Sequence, residues 1–216
     1  MAPIPVRIKG KEAAVAAHLD SLFGRCPQLE PLKSEIEAAY EAIARSFEGG
    51  GRLLVCGNGG SAADADHIVG ELMKGFYKQR PLPPDEQARI GPLAAQLQGA
   101  LPALSLTHHT ALSTAFLNDV EPTMVFAQQV YGFGRPGDCL LCISTSGNAK
   151  NVCAAAEVAG KTGLAVIGLT GAQGGSLRAL CGVCLRAPAN VTAEVQELHL
   201  PIYHTLCAML EEAFFA

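Results

Sequence analysis

Two groups of polar residues, far apart in the sequence, are of the types that bind divalent metals and move protons. His67 and Glu71 are four residues apart, a spacing that puts both on one face of a helix. Gln196, His199 and His204 lie in an otherwise apolar segment near the other end, where buried polar groups need partners. Imidazole nitrogens with amide and carboxylate oxygens suit zinc or a similar divalent ion. Taken separately, the first group also fits a surface hydrogen bond and the second group fits satisfied core histidines.

Two loops rich in small and hydroxyl-bearing residues are candidates for binding a phosphate. Each follows an apolar run typical of a strand and precedes a helical pattern, so backbone amides and the positive end of a helix dipole would face a ligand. The candidate residues are Asn58, Gly59, Gly60 and Ser61 in the first loop and Ser144, Thr145 and Ser146 in the second. Ser61 is also a candidate helix N-cap. An ordinary turn with a capping hydroxyl would explain either loop alone, but two such loops in one sheet favour a phosphorylated ligand.

Neither loop completes a known nucleotide-binding motif. The chain has no G-x-x-x-x-G-K-[ST] sequence, which excludes a P-loop. The first loop fits G-x-G-x-x-A, but a dinucleotide site also needs a second strand that ends in an acid about 20 residues further on. The proline-rich stretch around Pro81 occupies that position instead.

Apolar periodicity predicts the elements that hold these residues in place. Helical patterns cover residues 11–24, 28–48, 61–76, 120–130, 148–162, 175–180 and 192–215. Strand patterns cover residues 53–56, 102–106, 138–143, 164–169 and 183–185. This alternation predicts an α/β fold, a three-layer α-β-α sandwich with a mostly parallel five-stranded sheet, preceded by N-terminal helices. In such sheets ligands bind outside the carboxyl ends of the strands, where both loops lie.

Residues 1–216 are predicted to form a single domain with two additions. Residues 1–48 form a helical extension, whose second helix carries an apolar stripe that could pack on the sheet or against another subunit. The stripe comprises Leu32, Ile36, Tyr40, Ile43 and Phe47. Residues 78–98 contain three prolines and a weak helical patch, which indicates a loop or lid-like insertion.

Composition excludes several classes of function. With 49% hydrophobic and 17% charged residues, the chain is predicted to be globular. A net charge of −4 without a basic run argues against nucleic-acid binding. The chain lacks an apolar run long enough for a membrane span, and its first residues lack the apolar core of a signal peptide. We therefore expect a cytoplasmic protein with eight reduced cysteines, in which the lone Cys181–Cys184 pair is structural.

Four motifs, taken together, resemble the phosphoheptose isomerases, members of the sugar isomerase (SIS) domain group. They are GNGGSAADADHIVGEL, the pair Asn118-Asp119, ISTSGN and VQELHLPIYH, in that order. The similarity covers the chain apart from the longer segment 78–98. It implies the SIS fold and an aldose–ketose isomerase that converts sedoheptulose 7-phosphate to D-glycero-D-manno-heptose 7-phosphate. It also implies a homotetramer whose active sites are shared between subunits.

The resemblance further implies roles for individual residues. The substrate-binding residues would be Asn58, Gly59, Gly60, Ser61, Glu71, Asn118, Asp119, Ser144, Thr145, Ser146 and Gln196. One Zn²⁺ per subunit would be held by His67, Glu71, Gln196 and His204, and the choice of His204 over His199 comes from the resemblance alone. Glu71 and His204 would form the acid–base pair of a metal-assisted enediol mechanism.

Three departures from the family pattern bear on the substrate. Ala149 stands where the family usually has Ser, and Ala193 stands where it often has an acidic residue. The insertion after Tyr77 is expected near the mouth of the site. An isomerase for a different phosphosugar is therefore an alternative, as is a non-catalytic SIS protein that binds phosphosugars. The metal-ligand set argues against the second alternative, because a non-catalytic bacterial branch lacks it.

Overall fold

The computed structural model describes residues 4–216, which form one five-stranded sheet. The strands are β1 (Leu53–Gly57), β2 (Ala103–Ser105), β3 (Cys139–Ser144), β4 (Ala165–Gly171) and β5 (Val183–Ala187). They are arranged in the order β2-β1-β3-β4-β5, and all neighbouring pairs are parallel. The predicted α/β fold with a parallel five-stranded sheet is therefore confirmed.

Helices flank the sheet on both faces. The α-helices are α1 (Glu12–Arg25), α2 (Lys33–Glu48), α3 (Gly60–Met73), α4 (Pro84–Ile90), α5 (Thr110–Asp119), α6 (Val125–Phe133), α7 (Lys150–Lys161) and α8 (Thr192–Phe214). Short 3-10 helices occupy Pro27–Leu32, Pro92–Gln96, Pro122–Met124 and Ser176–Ala179. Within residues 4–216, the structure contains no helix that is both long and apolar enough to span a membrane.

Side-chain alternation along β1 separates two hydrophobic cores. Leu53 and Val55 belong to the core on one face, with buried residues of α1, α2, α3 and α8. Leu54 and Cys56 belong to the core on the other face, with α6 and α7. Helices α3 and α8 are in contact on the first face, so the two polar groups from distant parts of the sequence come together there.

The apolar stripe of the second N-terminal helix is used inside the chain. Leu32, Ile36, Ile43 and Phe47 are each at most 8% exposed. Tyr40 packs against the same core from its edge. The stripe therefore packs within its own subunit and is not free to form an interface with another one.

The region after β2 differs most from the sequence prediction. α5 is absent from that prediction, because none of its residues is buried and its apolar residues do not form a clear helical stripe. The helix expected over 120–130 is divided into a 3-10 turn that starts at Pro122 and an α-helix that runs on to Phe133. Proline fits the first turn of a helix, which explains the break. The helix expected to reach Phe76 ends at Met73.

The segment 78–98, predicted as a loop-like insertion, is closed at its base. Pro81 and Gln98 form an isolated antiparallel bridge, and the Gly99 amide donates to the Arg80 carbonyl at 2.6 Å. Inside the segment lie α4 and the second 3-10 helix, whose side chains are mostly exposed. The segment is therefore partly helical and lies on the surface.

A buried ion pair fastens the start of this insertion to α8. Arg80 Nε donates to Glu211 Oε1 at 2.8 Å, and both side chains are at most 2% exposed. The two Nη atoms of Arg80 donate to the carbonyls of Leu72 and Glu71 at 2.8 and 3.1 Å. The guanidinium thus holds the last turn of α3, including the backbone of Glu71, against the end of the chain.

Glu211 completes the same network by binding the backbone after α3. Its carboxylate accepts from the amides of Phe76, Tyr77 and Lys78 at 2.8, 2.7 and 3.2 Å. One buried guanidinium and three backbone amides therefore depend on this one side chain for hydrogen bonds, and the buried guanidinium would be costly to leave unpaired.

We expect Glu211→Ala to lower the free energy of unfolding by about 3–5 kcal/mol, because the Arg80 guanidinium stays buried without its partner. Urea denaturation followed by circular dichroism measures this change. Glu157→Ala is the matched control, since Glu157 forms an exposed i,i+4 pair with Lys161 and its loss should have little effect. Equal destabilisation by the two substitutions would contradict the importance of the buried pair.

Candidate active site

The first glycine-rich loop leads from β1 into α3. Gly59 has a φ of 56°, which glycine adopts without a steric penalty. Ser61 is buried as the second residue of α3, so it is not the predicted N-cap; Gly59 holds that position, and the helix begins without a side-chain cap. The N-terminus of α3 is therefore open to an anion.

The second loop leads from β3 into α7 in the same way. Ser144 is the buried last residue of β3, whereas Thr145 and Ser146 are more exposed. Gly147 follows with a φ of 66°, and a side chain there would collide with a neighbouring backbone carbonyl. α7 also begins without a side-chain cap, so the alternative explanation of this loop, capping of the helix by one of the three hydroxyls, does not apply.

Both loops line one cleft of about 360 Å³ at the carboxyl ends of β1 and β3. Ala149, Thr192 and Gln196 complete the lining, in which no residue is charged. β1 and β3 are neighbours, but the chain continues from β1 to one edge of the sheet and from β3 towards the other. Ligands bind at such switch points in parallel sheets. The cleft suits an anion held by backbone amides and hydroxyls rather than by an ion pair.

A reciprocal amide pair joins the first loop to the first turn of α7. Asn58 Nδ2 donates to Asn151 Oδ1, and Asn151 Nδ2 donates to Asn58 Oδ1, both at 2.9 Å. Asn151 Oδ1 also accepts from the amide of Val152 at 3.0 Å. The sequence analysis missed Asn151, because only the fold brings together two residues that are 93 positions apart.

Further from the cleft, His67 and Glu71 of α3 and His204 of α8 form one cluster. His67 Nε2 lies 3.1 Å from Glu71 Oε1. The His67 and His204 rings meet edge to face, with their centroids 4.9 Å apart. Phe76 packs against His204 with a centroid distance of 5.4 Å. The structure thus brings together three of the four predicted metal ligands from α3 and α8.

Gln196, the fourth predicted ligand, lies apart from this cluster. It precedes His204 by two turns of α8, about 12 Å along the helix axis. Its amide lies against Gly60, where an added Cβ would approach Nε2 to 2.5 Å. In the described part of the chain, Gln196 makes no hydrogen bond to His67, Glu71 or His204. Gln196 therefore belongs to the cleft in this arrangement.

The cluster has buried polar atoms without protein partners. Glu71 Oε2 and His204 Nε2 are buried and make no hydrogen bond, and Lys74 Nζ stays 3.8 Å from Glu71 Oε2. As the side chains stand, no three His, Cys, Asp or Glu residues within 4–216 are arranged to hold a metal ion. His67 Nε2 and Glu71 Oε1 lie within hydrogen-bond distance of each other. The donor types, their contact and their unpartnered atoms fit a divalent ion once that hydrogen bond is exchanged for coordination.

Burial controls the protonation of the two histidines on α8. Burial, followed by the nearby His67, lowers the pKa of His204, which favours a neutral ring able to accept a proton. His199 is fully buried, and burial lowers its pKa to about 4. His204 contacts His67, whereas His199 is enclosed in the fold. The structure therefore separates two histidines that the sequence pattern could not separate.

Asp64 and Tyr203 lie behind His67 and are absent from the predicted site. The Tyr203 hydroxyl is 3.0 Å from His67 Nδ1 and donates to Asp64 Oδ1 at 3.3 Å. Burial raises the pKa of both Asp64 and Tyr203. A sequence signal exists for Asp64, because its spacing of three and seven residues places it on the helix face of His67 and Glu71.

The predicted sugar-contacting pair lies elsewhere. Asn118 and Asp119 are the exposed last residues of α5, and Asn118 Nδ2 donates to Asp119 Oδ1 at 2.7 Å. Neither residue lines the cleft. Within residues 4–216 of a single chain, Asn118 and Asp119 therefore do not reach the two loops.

Comparisons with known proteins agree with this architecture. The family model described as SIS domain matches residues 20–88 and 85–171, together more than half of the chain. A phosphoheptose isomerase from Rhodospirillum rubrum is 39% identical over 178 residues, which cover 82% of this chain and 85% of that relative.

Two solved structures are similar over nearly the whole chain. A phosphoheptose isomerase from Neisseria gonorrhoeae has a TM-score of 0.69 and 34% identity, covering 91% of this chain and 97% of that one. A phosphoheptose isomerase from Francisella tularensis has a TM-score of 0.73 and 31% identity, covering 92% and 96%. This chain therefore belongs to the SIS domain family and, within it, to the phosphoheptose isomerases.

Proposed function

We propose that this protein is an aldose–ketose isomerase that converts sedoheptulose 7-phosphate to D-glycero-D-manno-heptose 7-phosphate. The observation that carries the proposal is the contact of His67, Glu71 and His204 on the two helices that also border the anion-binding cleft. Isomerisation through an enediol needs a base for the carbon proton and a group that serves the oxygens. The relatives named phosphoheptose isomerase support the choice of substrate.

The separation of the two parts of the site fits this substrate. The phosphate would bind the amides and hydroxyls of the cleft, and the reacting carbons would reach the cluster about two helical turns away, roughly 11 Å. A sugar whose phosphate and carbonyl lie at opposite ends matches that distance. Binding of the remote phosphate then positions the reacting carbons for proton transfer.

Glu71 and His204 are the proposed acid–base residues. Glu71 takes the proton from the carbon next to the carbonyl and returns it to the neighbouring carbon. His204, whose lowered pKa favours the neutral ring, moves a proton between the two substrate oxygens.

We further propose one Zn²⁺ per subunit, held by His67, Glu71 and His204. Gln196 would join them only by leaving its position against Gly60. The chemistry that the ion supplies when bound is that of a Lewis acid for the substrate carbonyl. The unpartnered Glu71 and His204 atoms support this proposal.

We also propose a homotetramer that shares its active sites between subunits. Support comes from α5, which has no buried residue and exposes Leu112 and Leu117. A neighbouring subunit that covers this helix would also meet Asn118 and Asp119 at its end.

The eight cysteines are free thiols, in keeping with the cytoplasmic location that we propose.

Replacing the proposed base should abolish turnover and leave substrate binding intact. We expect Glu71→Gln to lower kcat for sedoheptulose 7-phosphate by about 10²–10⁴-fold, the usual contribution of a general base. A coupled assay measures turnover, and calorimetry measures sugar-phosphate binding. Glu157→Gln, on the exposed face of α7, is the control and should behave as the unaltered protein does. Normal turnover by Glu71→Gln would exclude the proposed role.

Loss of the phosphate-facing hydroxyl should weaken substrate binding. We expect Thr145→Val to raise KM by about 10-fold or more, because a hydrogen bond to a charged group contributes about 1.5–3 kcal/mol. Steady-state kinetics measure the change, with the exposed Ser34→Ala as control. An unaltered KM would place the phosphate elsewhere.

Metal analysis tests the proposed ion independently of the sugar. We expect purified protein to bind Zn²⁺ with a stoichiometry near one, measured by elemental analysis after dialysis, and His204→Gln to lose most of it. His108→Gln, at an exposed histidine, should keep the metal. Failure of the unaltered protein to retain Zn²⁺ under any condition would reject the metal site and leave the fold-based family assignment untouched.

A further inference from the structure

Asn58 and Asn151 connect two segments of the chain just beyond the ends of their strands. β1 and β3 pair in parallel as far as Gly57 and Ile143. Asn58 directly follows Gly57 and leads into α3, whereas the chain after β3 passes through the second loop into α7. The amide pair of Asn58 and Asn151, at 2.9 Å in both directions, therefore continues the connection between these segments after the strand pairing has ended.

A third hydrogen bond fixes which way round the two carboxamides stand. The backbone amide of Val152 donates to Asn151 Oδ1 at 3.0 Å, so this atom must be the oxygen. Asn58 Nδ2 donates to the same oxygen, and Asn58 Oδ1 accepts from Asn151 Nδ2. In both bonds of the pair a donor thus faces an acceptor, and both ends of each carboxamide are engaged.

The second loop is attached on its other side as well. Asn148 Oδ1 accepts from the backbone amide and the hydroxyl of Ser176, in the 3-10 helix that follows β4, at 2.9 and 3.0 Å. The amide of Leu177 donates to the carbonyl of Gly147 at 2.9 Å. With one side of the loop fixed in this way, the hydrogen bonds of Asn151 hold the other side towards the first loop.

We propose that Asn151 is a positioning residue, which acts through Asn58 to set the separation of the two anion-binding loops. Asn58 lines the cleft and Asn151 does not, and we assign the effect of Asn58 to the pair rather than to a contact of its own with the phosphate. The cleft has no charged side chain, so anion binding depends on where the amides and hydroxyls of both loops point. The inference deepens the proposed function and rests on it only in taking this cleft as the phosphate site.

The exposure of the pair separates a role in binding from a role in folding. Both of its hydrogen bonds are exposed to water, which can replace them, so their loss should cost little folding stability. An anion held between the loops needs donors from both of them at fixed positions, and a small misplacement weakens such binding. Loss of the pair should therefore affect the ligand more than the fold.

The test is a double-mutant cycle that consists of Asn58→Ala, Asn151→Ala and the double variant. Calorimetry with inorganic phosphate measures the dissociation constant and needs no turnover, and steady-state kinetics give KM and kcat for sedoheptulose 7-phosphate. We expect all three variants to raise both the dissociation constant and KM by a similar factor, about 10-fold, because either single substitution already removes the pair. The value of kcat should change little, since the cluster of His67, Glu71 and His204 is left in place.

Gln28→Ala, at an exposed amide side chain outside the cleft, is the control and should bind phosphate as the unaltered protein does. Urea denaturation should give similar midpoints for all the variants.

Several results would overturn the inference. Factors that multiply in the double variant would mean that the two residues act independently. A large effect of Asn58→Ala beside none of Asn151→Ala would mean that Asn58 contacts the phosphate itself. Unaltered binding in all three variants, or no phosphate binding by the unaltered protein, would also overturn it. Phosphate binding without turnover in the unaltered protein would instead reject the proposed isomerase, so the two failures are distinguishable.

Discussion

The packing of α3 on α8 is the contact on which the rest of the site depends. α3 starts at the first loop, and the first residues of α8 line the same cleft, so the two helices run together from the cleft to the cluster of His67, Glu71 and His204. α3 follows the first strand, whereas α8 is the last element of the chain. The cluster therefore joins residues from distant parts of the sequence, and it depends on both helices packing on the same face of the sheet.

The cleft and the cluster differ in the kinds of chemical groups that they present. The cleft lacks charged side chains and presents amides, hydroxyls and helix N-termini, which water can pair when no ligand is bound. The cluster consists of titratable groups, of which Glu71 and His204 have buried atoms without partners, and burial lowers the pKa of His204. Separation along two helices lets each part keep its own environment, polar and open at one end, enclosed and reactive at the other.

Sequence patterns predict the elements that are buried and miss what only packing determines. The apolar strands and the polar residues in apolar helices are visible in the sequence, because burial imposes both patterns. α5 is not visible, since it buries nothing. The pairing of Asn58 with Asn151 and the place of Tyr203 behind His67 depend on contacts between distant elements. Gln196 was expected with His204, but the two residues are eight positions apart on α8, about two helical turns, which holds their side chains apart.

The closed base of the segment between Arg80 and Gly99 has a consequence for how this protein can vary. The bridge from Pro81 to Gln98 fixes both ends, so residues can be added or removed beyond it at a small entropic cost that grows only with the logarithm of loop length. Arg80, the residue before this bridge, donates a hydrogen bond to the Glu71 carbonyl. The position of the Glu71 backbone is therefore set by contacts at the base of the segment, and the outer loop can change in length without altering those contacts.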